Sequence, residues 1–154
     1  MIVLLACCFV LLVSVPIAGL LLPLTRAQST ADAGAKASDH LDTVVATLPA
    51  ELVMSDEENS PTEGPCRSDS EGRLVGVRRV VVVDPAFDMA EWSEQLRDDF
   101  QDWRFTRRAL DLEGALLLSL VASDFSLVSV RSAGTEDGTV LTMTSWSPCL
   151  SASG

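Results

Sequence analysis

The groups in this 154-residue chain that could carry chemistry are four cysteines, one histidine and 22 carboxylates. Cys66 and Cys149 flank the stretch richest in strand-forming residues. Outside the cytosol, two cysteines in one small domain read as a disulfide. That bond closes a loop of about 83 residues, and the chain-entropy relation puts its contribution at roughly 4–5 kcal/mol. A domain inside the cytosol would instead keep two free thiols. A zinc site does not fit, because there is one His and no CxxC.

His40, the sole histidine, sits beside Asp39 and Asp42 in a helical stretch. It reads as a surface residue rather than a general base. Asp111 and Glu113 are spaced as a carboxylate pair but fall where a turn is expected. Asp56 and Glu58 faintly suggest a calcium loop, yet Ser60 and Pro61 stand where its midway Gly belongs. No GxSxG, P-loop or dinucleotide fingerprint is present. The sequence therefore points to no catalytic residue, no metal and no cofactor.

Two basic pairs, Arg78–Arg79 and Arg107–Arg108, fall in candidate strands. If those strands are close together, the pairs could cradle an anion or an acidic partner. The plainer reading is that they balance surplus carboxylates inside the domain. The surplus is large: 22 acidic against 11 basic residues gives a formal charge of −11. That balance argues against a nucleic-acid binder, which needs a basic footprint, and against electrostatic docking on anionic lipid.

These residues need elements to position them. The first 24, MIVLLACCFVLLVSVPIAGLLLPL, carry no charged side chain. A helix of that length spans a hydrocarbon core of about 30 Å, so residues 1–24 are expected to be a transmembrane anchor. The rival reading is a signal peptide cleaved after Ala27, where TRA supplies the small residues at −3 and −1. LLAC at 4–7 imitates a lipobox, but the apolar run continues well beyond Cys7, so Cys7 and Cys8 read as membrane-buried thiols.

Residues 25–49 are expected to form a stalk helix, with Leu41, Val44, Val45 and Leu48 on one stripe and Pro49 ending it. Residues 50–72, acidic and rich in Ser, Pro and Gly, read as a flexible linker around Cys66. The domain proper is 73–149, with a tail at 150–154.

LVGVRRVVVV (74–83) reads as a covered strand. FDMAEW then gives a helix start: Asp88 as N-cap, Glu91 at N3, and Phe87 with Trp92 as a hydrophobic staple. This helix should run from about 89 to 103, burying Met89, Trp92, Leu96, Phe100 and Trp103 and exposing Glu91, Glu94, Asp98 and Asp102. Strands are expected at 104–110, 115–122, 125–131 and 139–146, with TEDG (135–138) as a hairpin loop. Residues 108–122 also fit a helix. The fold class is α+β: a β-α-β-β-β-β order, mostly antiparallel, with one helix on one face and the stalk helix as candidate cover for the other.

The apolar N-terminus, HLDTVVATLP (40–49), Cys66 before RRVVVV (78–83), DWRFTRR (102–108) and SPC (147–149) together resemble a family of uncharacterised small membrane-anchored or secreted proteins of actinobacteria. The resemblance implies anchoring or secretion and no particular activity. The Arg-rich, Lys-poor composition also looks like a GC-rich bacterial coding sequence. The expected function is a non-catalytic extracytoplasmic module that binds a protein or envelope component across its sheet. The alternative is a small cell-envelope hydrolase or accessory subunit.

Overall fold

The computed structural model describes residues 29–66, 72–110 and 115–150. The proposed anchor, the cleavage site, Cys7, Cys8, Asp111 and Glu113 lie outside them. Among the described residues, no helix is long and apolar enough to cross a membrane.

The fold is α+β. Helix α1 (Thr30–Val45) and a 3-10 turn (Ala50–Leu52) precede strands β1 (Val53–Glu58), β2 (Thr62–Pro65) and β3 (Arg73–Val83). Helix α2 (Met89–Asp99) follows, then β4 (Arg104–Ala109), β5 (Leu116–Val121), β6 (Leu127–Thr135) and β7 (Gly138–Trp146). The seven strands form one sheet in the order β1-β3-β7-β6-β5-β4, with β2 also on the outer edge of β3. Every pairing is antiparallel. The ambiguous 108–122 stretch is strand on both sides of its undescribed centre, because Leu118 and Leu120 alternate into the core.

The expected linker at 50–72 is the main correction to the chain's organisation. Residues 53–58 and 62–65 are edge strands on β3, not free chain. Their acidic side chains conceal the strands from composition, yet acidic residues are well placed on an exposed sheet edge.

Helix α2 starts as its sequence demands. The Asp88 carboxylate accepts from the N–H groups of Ala90 and Glu91, and Phe87 packs on Trp92 with ring centroids 5.7 Å apart. The helix ends at Asp99, four residues before the expected 103, with Phe100 as C-cap. Trp92, Leu96 and Phe100 are buried.

Helix α1 does not cover the second face of the sheet. Leu41, Val44 and Leu48 enter the same core as Trp92, Leu96 and Phe100, over Val77, Val81, Val130, Leu141 and Met143. The indole N–H of Trp92 donates to Thr47 Oγ1 just beyond α1, at 2.9 Å, which joins the two helical segments. Both helices therefore lie on one face. The burial stripe of α1 also extends back through Ala33, Gly34 and Ala37. These small residues allow close approach: a Cβ at Gly34 would stand 3.3 Å from Pro61.

Cys66 and Cys149 are bonded as a disulfide, with Cα atoms 5.7 Å apart. The bond ties the end of β2 to the segment after β7, where Arg73 and Leu150 exchange backbone hydrogen bonds. A disulfide of this kind fits an oxidising compartment outside the cytosol.

Candidate binding surface

Side chains alternate across a strand, so the strand register divides the arginines between the two faces. Val77, Val81 and Val83 point into the helix-covered core, and so does the side of Arg79. Arg79 pairs with Asp42 of α1 and with Asp56 and Glu58 of β1. Its Nε and Nη2 donate to the two Asp56 oxygens at 2.6 Å, a bidentate fork. That hydrogen-bonded pairing lowers the Asp56 pKa and raises that of Arg79. The faint calcium-loop residues Asp56 and Glu58 are thus ligands of a guanidinium.

Arg107 also faces the helices. It donates to Ser93 Oγ at 2.8 Å and to Glu94 at 3.1 Å, both on α2. Arg79 and Arg107 balance carboxylates. Arg78 and Arg108, one residue away from each, point to the other side.

The expected meeting of the two basic pairs does not occur. β3 and β4 are separated by β7, β6 and β5. Instead, the uncovered face carries Arg78, Arg108 and two arginines that the sequence reading passed over, Arg104 and Arg131. The rows can be followed across β3, β7, β6, β5 and β4. One row reads Gly76, Trp146, Leu127, Val121, Arg104. The next reads Arg78, Thr144, Ser129, Ser119, Thr106, and the third Val80, Thr142, Arg131, Leu117, Arg108.

All four of these arginines are exposed. Lys36, Arg73, Arg79, Arg97 and Arg107 each form an ion pair with a carboxylate. Arg78, Arg104, Arg108 and Arg131 form none among the described residues. Glu57 on edge strand β1, opposite Val80, is the one strand carboxylate that the register places on this face among the described residues. The face is basic in a chain of net charge −11.

Comparison with protein-family models, with curated proteins and with solved structures returns no match. The surface is therefore read from its own chemistry.

Trp146 lies against the sheet on this face. A Cβ at Gly76 would stand 2.3, 2.5 and 2.7 Å from ring atoms Cζ3, Cε3 and Cη2. Three consecutive ring atoms at nearly equal distance mean that the indole lies flat over Gly76, so only Gly fits beneath it. Beside the ring is a groove of about 360 Å³, lined by Asn59, Ser60, Thr62, Arg78, Thr144 and Trp146 among others.

His40 is not the surface residue expected from sequence. It is half-buried, with its ring 5.1 Å from Trp103 in an edge arrangement, and its Nδ1 is buried without a hydrogen-bond partner. Burial lowers its pKa against the opposing pull of Asp124. Asp124, in the turn between β5 and β6, pairs with Lys36 of α1. Burial alone would raise its pKa, but the Lys36 ammonium and the Ser126 N–H bring it down to about 2. Phe125, the next residue, is exposed with φ 68°. Among the described residues, no group of three or more His, Cys, Asp and Glu side chains is arranged to hold a metal ion.

Proposed function

We propose that this chain is a non-catalytic extracytoplasmic module, anchored in the cytoplasmic membrane by residues 1–24, that binds an anionic protein or envelope component across its uncovered sheet face. The observation that carries the reading is the sorting of arginines. Those facing the helices are paired with carboxylates, whereas Arg78, Arg104, Arg108 and Arg131 share one open face without an ion pair. Unpaired guanidiniums on a sheet that no described element covers offer their planar N–H forks to oxyanions. Cleavage after Ala27 would yield a secreted form with the same face.

The envelope-hydrolase alternative needs a carboxyl held protonated as a general acid. Among the described residues, the two carboxyls whose pKa is displaced, Asp56 and Asp124, both move downward, the wrong direction for that role.

The test is association of the full chain with isolated cell envelopes at low and high salt. The expected result is salt-sensitive association that is lost in an Arg78→Glu/Arg131→Glu variant and kept in Arg97→Glu, on α2. Equal association of all three proteins would reject the face, and turnover of an envelope polymer would reject the non-catalytic reading.

A further inference from the structure

We infer that the ligand of this face is an acidic glycan, with one sugar ring stacked on Trp146 and its carboxylate or phosphate groups paired with Arg78 and the arginines beyond. The inference rests on the reading of the uncovered face as a binding surface and names what it binds.

The groove at Trp146 combines three chemistries. The indole is a flat, rigid platform whose rear is supported by the Gly76 backbone. Arg78 supplies a planar fork of N–H donors beside it. Asn59, Ser60, Thr62 and Thr144 supply amide and hydroxyl groups that both donate and accept. A sugar ring offers a matching set: C–H groups on its face, hydroxyls around its rim and, when acidic, an oxyanion.

The rest of the face continues that pattern. Thr144, Ser129, Ser119 and Thr106 form an unbroken row of hydroxyls leading away from Arg78. Four inter-strand gaps from β3 to β4 span about 19 Å. A single sugar cannot reach from Arg78 to Arg108, so the ligand is an oligomer or polymer. A protein partner would be expected to anchor aromatic and aliphatic hot spots in an apolar centre. Here the apolar side chains Trp146, Leu127 and Val121 keep to one flanking row, and the central row is hydroxylic.

The test uses the full chain in detergent, with four probes: polygalacturonate, a teichoic acid, neutral dextran and polyglutamate. Expected is saturable binding of polygalacturonate or teichoic acid, with a change in Trp fluorescence and no binding of dextran. Which of the two binds distinguishes a carboxylate from a phosphate ligand. Trp146→Ala and Gly76→Ala should each weaken binding about tenfold or more, and Arg78→Gln should do likewise. Melting curves establish that each variant is folded. If Gly76→Ala unfolds the strand, Trp146→Ala and Arg78→Gln still decide.

Failure of both acidic glycans to bind overturns the inference. So does unchanged affinity in folded Trp146→Ala. Polyglutamate binding as tightly as either glycan also overturns it, while leaving the binding face itself intact. Loss of envelope association in the Arg78→Glu/Arg131→Glu variant, without glycan binding, separates the two failures in the same way.

Discussion

Arg78 and Arg79 are neighbours in β3 with opposite surroundings. Arg79 is held by Asp42, Asp56 and Glu58 beneath α1, with its side chain 15% exposed. Arg78 stands on the other side of the sheet beside Thr144 and Trp146, exposed and without an ion pair. One is part of the structure, and the other is available to a ligand. Replacing Arg79 with Ala should cost about 1.5–3 kcal/mol, since it removes charge-assisted hydrogen bonds and leaves three carboxylates together. Arg78→Ala should change stability by no more than about 0.5 kcal/mol. Denaturant unfolding of the two variants checks the contrast.

The disulfide closes a loop with a sequence separation of 83. Non-reducing peptide mapping should recover Cys66 linked to Cys149. Reduction should lower stability by about 4–5 kcal/mol, on the chain-entropy relation. Two alkylatable thiols at these positions in the native protein would contradict the bond and the oxidising compartment with it.

Trp92 is 2% exposed and joins both helical segments to the sheet. Trp92→Ala should cost about 3–5 kcal/mol. Thr47→Val would leave the indole N–H unpaired at a cost of about 1–3 kcal/mol. Asp88→Ala should cost about 1 kcal/mol through lost capping. Thermal melts of the three variants should rank in that order, and unchanged melting of Trp92→Ala would mean that the ring is not in the core.

His40 and Asp124 give stability a pH dependence with a defined sign. The folded pKa of His40 is below the ordinary histidine value of 6.5, so the unfolded chain binds the proton more readily. Stability should fall as pH drops below 6.5, and His40→Gln should flatten that decline. Asp124, brought from 3.8 to about 2, contributes stability above pH 3.8 that is lost as pH falls through 2. Melting temperature against pH, for wild type and His40→Gln, reads both.

The sequence made α2 legible because its cap, staple and stripe agree on one start and one buried side. Strand β3 was legible through its unbroken β-branched run, β7 through alternation and the cysteine pair through compartment logic, whereas residues 108–122 fitted a helix as well as strands. The linker reading failed because Glu57, Glu58 and Glu63 mask strands whose pairing depends on β3, distant in the chain. The placement of α1 failed because no local pattern says which face of a sheet a helix will reach. Half of the candidate site was visible as Arg78 and Arg108. Arg104 and Arg131 stand alone in their strands, and the Gly76–Trp146 contact joins residues 70 positions apart. Only the register across five strands brings them to one face.

Arginine footprinting addresses the uncovered face as binding surface most directly. The full chain is treated with phenylglyoxal, free and in association with isolated envelopes, and each arginine's modification is read by mass spectrometry. Expected is protection of Arg78, Arg104, Arg108 and Arg131 on association, with Arg97 on α2 modified equally in both states. Protection of Arg97 with the four sheet arginines still reactive would place the binding surface on the helical side and contradict the assignment.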